Sequence, residues 1–406
     1  MNERENNAGE QTKMQEVVTQ QIAGNRKSEE IICGIIQKAL SLGKSFALWR
    51  MPGGTEKNVC VSNEKLLELE DLTIEELDSG FIFSPFHPAK KKYFLKADNL
   101  YKFQKEKNEI QSSDLNDIDF EEIQKQGNRK PLYHFKSKVS FHQNDFEQLV
   151  AKGIESIEAN QFEKVVLSRF YDATTQDDFN PLKAFDAFCE KYPNAFVSLT
   201  SSPEVGTWLG ASPEMLVSMD ANGKFKTVAL AGTQRYEEGA NLKAVAWTQK
   251  DIEEQAMVSR YIINCFKKVR VREYEEHGPR TVVAGNLLHL RTDYEVDTRE
   301  INFPQMGSVM LKLLHPTSAV CGMPHLPAFE FLQAHEGYDR EMYAGYLGPV
   351  NIQNETNLFV NLRCMQLFEN TVRVYAGAGI IADSVPAKEC EEVEIKIQSI
   401  LKNIQS

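Results

Sequence analysis

Apolar positions along this chain recur with two periods, and these divide it into helices and strands. From Ser28 onward, Ile31, Ile32, Ile35, Ile36 and Leu40 fall on one helical face, with Ser28 placed to cap it and Gly43 just past its end. The same spacing predicts helices over 145–160 and 181–192, and one long helix over 245–269. In the long helix Thr248 is followed three residues later by Asp251, a capping-box spacing. Towards the C-terminus Pro386 stands where a helix would begin, with Ser384 nearby as a cap. Behind it Cys390, Val393, Ile397, Ile400, Leu401 and Ile404 form one stripe. Shorter apolar runs predict strands over 45–50, 58–62, 81–84, 92–96, 164–171, 195–200, 207–209, 215–219, 224–230, 281–289, 343–351, 358–367 and 371–375. Strands that follow one another with few intervening helices favour mostly antiparallel sheets with helices outside, an α+β architecture. Two parts are expected. Residues 1–130 form an N-terminal α/β portion with a loose start and a polar connector over 105–130; residues 131–406 form the larger part.

Composition narrows the class without naming a function. With 42% hydrophobic and 26% charged residues, the 406-residue chain can build a sizeable core. A net charge of -12 argues against nucleic acid as a partner. The seven cysteines, Cys33, Cys60, Cys189, Cys265, Cys321, Cys364 and Cys390, include no CxxC pair and read as reduced thiols. No apolar run has membrane-spanning length, and the first residues are polar and mixed in charge, unlike a signal peptide. A cytoplasmic protein with no membrane partner is the expectation.

The strand at 371–375 leads into Ala376-Gly377-Ala378-Gly379, which reads as a glycine turn. Gly377-x-Gly379-x-x-Ala382 matches a dinucleotide fingerprint, but that motif needs a full βαβ unit, and the helical pattern after Pro386 leads to no second strand. On the terminal helix Glu389 and Glu392 lie one turn apart, with Lys396 a turn further on. Asp251 and Glu254 repeat that spacing on the long helix. Two such pairs are either solvated faces or the halves of a hard-cation site; magnesium takes one or two carboxylates, waters and an anionic substrate. No His or Cys spacing suits zinc. Lys164 interrupts an apolar strand and is either an edge residue or, if turned inward, a base whose pKa burial lowers. Glu214 follows a turn and could donate a proton if apolar surroundings keep it protonated. His289 closes a buried-looking strand, as a structural or a site histidine. Arg363 is the lone charge in 358–364 and wants a carboxylate or phosphate, to which Tyr375 could add a hydroxyl.

Several stretches occur in a familiar order. They are Phe162-Glu163-Lys164-Val165-Val166-Leu167-Ser168-Arg169, Gly210-Ala211-Ser212-Pro213-Glu214, Leu230-Ala231-Gly232-Thr233 and Leu288-His289-Leu290. His315-Pro316-Thr317-Ser318-Ala319-Val320-Cys321-Gly322, Asp339-Arg340-Glu341, Tyr375-Ala376-Gly377-Ala378-Gly379-Ile380 and Glu389-x-x-Glu392 follow. From about residue 135 onward the chain resembles the chorismate-utilising enzymes, and within them the isochorismate-forming branch. That resemblance implies two facing, mostly antiparallel sheets with outer helices. It implies magnesium held by Glu254 and Glu392, with Asp251 and Glu389 assisting through water. The metal would hold one carboxylate of chorismate, and Arg363, Tyr375 and the amides of Gly377 and Gly379 the other. Lys164 would activate water for attack at C2, Glu214 would protonate the departing C4 hydroxyl, and His289 would contact the ring or its enolpyruvyl arm. The wall beside the arm would come from Ala319, Val320 and Tyr343. Ammonia-using branches tend to carry Gln in place of Lys164, and one of them Lys in place of Ala231, so water is the expected nucleophile and no glutamine amidotransferase subunit is expected. The product would feed menaquinone or siderophore synthesis. Salicylate synthase is the nearer rival, and an inactive chorismate-binding protein the more distant one. One departure stands out: relatives usually carry His after the metal glutamate, and here it is Gln255.

Overall fold

A computed structural model describes residues 28–104, 108–110, 143–176, 178–236, 239–284 and 287–402. The expected loose start lies outside these residues, as does most of the polar connector. The helices are α1 (Ser28–Ser41), α2 (Gln143–Glu158), α3 (Pro181–Lys191), α4 (Gln249–Lys268), α5 (Met306–Leu314), α6 (His325–His335) and α7 (Pro386–Leu401). Thr248 caps α4 through the expected capping box with Asp251. Pro386 opens α7, but Ser384 does not cap it: its hydroxyl accepts from the Ile381 amide instead. The helices α5 and α6 are not among the elements the sequence pattern predicts; α6 is apolar on most sides and carries little helical periodicity. Among the described residues no helix is long and apolar enough to cross a membrane.

The strands form two antiparallel sheets. The ten-stranded sheet runs in the order Gly322–Met323, Lys164–Thr174, Thr371–Ile380, Cys364–Leu367, Gly206–Ser212, Phe196–Ser202, Phe46–Arg50, Lys57–Val61, Asn99–Phe103, Asn108–Ile110. The nine-stranded sheet runs Glu275–Ala284, Leu287–Asp297, Lys224–Arg235, Met215–Met219, Thr356–Val360, Tyr346–Val350, Gly80–Ser84, Lys92–Lys96, Leu67–Leu69. This is the expected α+β arrangement. The N-terminal strands are not a layer of their own: Phe46–Arg50 pairs with Phe196–Ser202, and Gly80–Ser84 with Tyr346–Val350, so both sheets are completed by the first part of the chain. Pairing partners so distant in sequence leave no local signal, which is why the first part reads as separate.

The sheets meet through aromatic rings. Phe196 of one stacks on Phe359 of the other with centroids 4.2 Å apart, and Trp49 and Phe81 meet across the same interface at 5.4 Å. Helix α4 lies against the nine-stranded sheet and α7, with α2, against the ten-stranded one. The two acidic helices thus belong to opposite layers.

The expected glycine turn is also a strand. Gly377 and Gly379 sit inside Thr371–Ile380, opposite Ser168 and Val166. A side chain on Gly377 would meet the Leu167 carbonyl at 2.6 Å, and one on Gly379 the Lys164 side chain at 2.9 Å. Glycine is required there for close approach, and the repeated small residues imitate a turn.

Phe196→Ala removes one half of the inter-sheet stack. It is expected to cost about 3–5 kcal/mol, read as a lowered midpoint of urea unfolding with an unchanged m-value.

Candidate active site

Between α4 and α7 the two layers leave a cavity of about 480 Å³. Its lining includes Glu214, Asp251, Glu254, His289, Ala319, Val320, Tyr343, Arg363, Tyr375, Gly377, Gly379 and Glu392. The structure therefore brings together residues from eight separate stretches of sequence. Lys164 and Glu389 are buried beside the cavity, in contact with Glu254 and Lys250 of its lining.

Lys164 opens its strand and points inward, with its side chain 1% exposed. Its ammonium donates to Glu254 Oε1 at 2.7 Å. The edge-residue alternative is thereby removed, since a solvent-excluded ammonium needs a carboxylate. Burial would raise the Glu254 carboxyl, but the charge and hydrogen bond of Lys164, then Lys396 and the Gly232 amide, bring it below its ordinary value.

Glu214 is fully enclosed. Burial pushes its carboxyl up to about 7, opposed in part by the hydrogen bond from Thr317 Oγ1 at 3.3 Å and the charge of Lys164. One cavity thus contains a buried cation and, facing a different environment, a carboxyl that still holds its proton near neutrality.

His289 is held at both nitrogens. Arg363 can only donate, so the 2.9 Å contact to Nε2 makes that nitrogen the acceptor. Nδ1 then carries the proton and donates to the Gly232 carbonyl at 2.7 Å. Burial, then the Arg363 charge, pushes the imidazole down to about 3, so it is neutral. Gly232 in turn donates its amide to Glu254 Oε2 at 3.4 Å. Gly232 has φ +69, and a side chain there would press on Asp251 and Trp247 at 3.2 and 3.3 Å, so this link requires glycine. Donors run in one direction from Arg363 to Glu254 across the cavity wall.

The Tyr375 hydroxyl donates to Gln366 Oε1 at 3.0 Å, and its ring stacks on Tyr343 at 5.1 Å. Its hydroxyl proton is thus given to Gln366 here, where the sequence alone leaves the hydroxyl available to an anion.

The acids are arranged differently from a closed cage. Glu392 accepts from Lys396 at 2.7 Å, Glu389 from Lys250 at 3.0 Å, and Asp251 is tied to Thr248. Lys396 also donates to the Gly377 carbonyl at 2.9 Å. Among the described residues no three acidic, His or Cys side chains converge as a ready-made metal site. The donor set still suits magnesium in kind: Asp251, Glu254 and Glu392 present carboxylate oxygens to one cavity. A cation there would take its remaining ligands from water and substrate.

Lys250 and Lys396 are site residues that sequence reasoning left aside. The spacing of Lys396, one turn beyond Glu392, was the available signal. Gln255 does not face the cavity; its amide donates to Thr292 Oγ1 at 3.0 Å and to the Ala229 carbonyl at 3.3 Å, between helix and sheet. The departure from the usual histidine therefore falls on packing.

The raised Glu214 carboxyl has a stability consequence. The folded state holds this proton more tightly than the unfolded chain, so the contribution is full below the ordinary carboxyl range and is lost as pH rises through about 7. Glu214→Gln, which cannot titrate, is expected to gain thermal stability over the wild type on going from about pH 5 to about pH 8. Paired melting curves at the two pH values check it.

Comparison with known proteins agrees with this geometry. The family model described as chorismate binding enzyme matches residues 86–405. An isochorismate synthase of Escherichia coli is 30% identical over 264 residues, covering 64% of this chain and 66% of that protein. Component 1 of anthranilate synthase from Archaeoglobus fulgidus is 30% identical over 270 residues, covering 64% of this chain and 62% of that protein. The chain thus spans just under two thirds of the length of these two relatives. Among solved structures, the menaquinone-specific isochorismate synthase of Escherichia coli superposes with a TM-score of 0.71 at 20% identity, covering 95% of this chain and 93% of that one. With the family's motifs gathered around one cavity and its model matched over most of the chain, this protein belongs to the chorismate binding enzymes.

Proposed function

We propose that this chain is an isochorismate synthase, interconverting chorismate and isochorismate. The observation that carries this reading is the pairing of a buried lysine with a buried, proton-holding glutamate at one cavity. A lysine base suits water as nucleophile. Water attacks C2 as Lys164 takes its proton. The ring double bond shifts, and the C4 hydroxyl leaves as water with the proton of Glu214. One water enters and one leaves, so substrate and product are isomers.

Chorismate carries two carboxylates, and the cavity offers cationic groups at both sides. Arg363, held in orientation by His289, would receive one. Glu254 and Glu392 would hold magnesium, which supplies positive charge for the other. Val166, Ala319, Val320 and Tyr343 add apolar wall to the same cavity.

The direct test is purified protein with chorismate and magnesium, with products separated by chromatography and pyruvate measured in parallel. Isochorismate in equilibrium with chorismate is expected; stoichiometric pyruvate and salicylate from the earliest times would make the protein a salicylate synthase instead. Lys164→Ala is expected to lose on the order of a hundredfold or more in kcat, and a variant running at wild-type speed would remove the lysine from the reaction.

Magnesium is tested separately from turnover. Glu392→Gln is expected to weaken magnesium binding in calorimetric titration while keeping the wild-type melting curve. Glu254→Gln is expected to weaken it and also to lower the melting temperature, because it leaves the buried Lys164 ammonium without its carboxylate. Wild-type activity that persists in EDTA would rule out the metal.

A further inference from the structure

Arg340 does not line the cavity, yet three residues that wall it are tied to it, two through its side chain and one through its backbone. Its Nη1 donates to the Val320 carbonyl at 2.8 Å and its Nη2 to the Val166 carbonyl at 2.7 Å. Its own carbonyl accepts from the Tyr343 amide at 2.9 Å, closing the turn that carries the tyrosine into the cavity. Val166, Val320 and Tyr343 come from a strand, a loop and a turn that are far apart in sequence, and all three line the site.

The guanidinium is fixed from every side. Glu336 takes Nε and Nη2 at 2.6 Å each, and both side chains are almost fully enclosed, at 2% and 3% exposure. Phe86 lies beneath the guanidinium plane at 4.3 Å. Glu336 also accepts the Ser168 amide at 2.8 Å and its hydroxyl at 2.7 Å, which ties the pair to the strand that begins at Lys164. The turn itself is strained. Glu341 has φ 49 and Ala344 φ 58, left-handed values that non-glycine residues keep only where surroundings impose them. Asn361 secures its other side, donating to the Met342 carbonyl at 3.0 Å and accepting from the Ala344 amide at 2.9 Å.

A buried ion pair is a costly way to gain stability, since apolar packing would serve as well. What it supplies is geometry, because a planar fork of donors fixes two carbonyls and a carboxylate in one plane. We propose that Arg340 is a specificity-setting positioning residue: by fixing the separation of Val166, Val320 and Tyr343 it holds the enolpyruvyl arm extended and stops the reaction at hydroxyl exchange. This rests on the isochorismate synthase reading. The step held back is internal to isochorismate. The hydrogen on C2 passes to the methylene carbon of the arm, the C3–oxygen bond breaks, and the arm leaves as pyruvate. The ring keeps the electron pair as the double bond that completes salicylate. No other reactant is needed, only an arm folded over C2.

The test compares the ratio of pyruvate to isochorismate formed from chorismate and magnesium by wild type and Arg340→Lys. Lysine keeps the charge for Glu336 but not the fork for two carbonyls. The ratio is expected to rise about tenfold, the scale on which a small change in pocket shape alters discrimination. Being a ratio per turnover, it does not move when part of the protein is merely unfolded. Should Arg340→Lys fail to fold, Val320→Ala carries the test, because it trims the wall that Arg340 holds and leaves the ion pair in place; the same rise is expected. An unmoved ratio in the folded variant, with a wild type that makes isochorismate, overturns this proposal alone. A wild type that makes no isochorismate overturns the functional reading and this proposal with it.

Discussion

The buried contact between Lys164 and Glu254 joins the two layers of this protein. Lys164 belongs to the ten-stranded sheet and Glu254 to α4, which lies on the nine-stranded one. An ammonium shut away from water is tolerable only with a carboxylate at hydrogen-bond distance, and here that distance is 2.7 Å. The layers are therefore held in one register at the cavity, where a shift of either would strand a charge. The aromatic stacks between the sheets supply adhesion, which is non-directional; the ion pair supplies position.

Charge around the cavity is balanced locally. Three of the four acids that the two helices bring to the site region each face a lysine: Glu254 faces Lys164, Glu392 faces Lys396 and Glu389 faces Lys250. The glutamates Glu214 and Glu254 are separated by environment in the same way. Glu214 has only a threonine hydroxyl and a distant ammonium, so burial wins and the proton stays; Glu254 has Lys164 in direct contact, so the charge stays. Two glutamates of one sequence type thus differ in protonation because one has a cation within reach and the other does not.

The Arg340–Glu336 pair plays a comparable role one layer out. It meets no cavity surface, but the strand after Lys164, the loop before Gly322 and the turn at Tyr343 all end on it. Shape at the site is thus set by a fork of hydrogen bonds behind the wall, and charge at the site by lysines within it.

Much of this was determined by local sequence. The capping box of Thr248 and Asp251 and the proline start of α7 rest on contacts within a few residues, the stripe from Cys390 to Leu401 and the strand that begins at Lys164 on a period readable along the chain, and all are present. The chemistry-bearing residues were legible for a related reason: a lysine in an apolar strand, or acids one turn apart on a helix, are conspicuous against the local pattern. Their meeting at one cavity was expected from the resemblance, not from periodicity. Only the tertiary structure decided what depended on distant partners. The strands Phe46–Arg50 and Gly80–Ser84 join sheets whose neighbours lie more than a hundred residues away, and Gly377 and Gly379 are strand residues kept small by Lys164 and Leu167 across the sheet. The Tyr375 hydroxyl goes to Gln366, and both His289 nitrogens are taken by Gly232 and Arg363. A side chain's type sets which bonds it can make, but the partner that claims them is set by which segments the folded chain brings within 3 Å, and no local pattern carries that information.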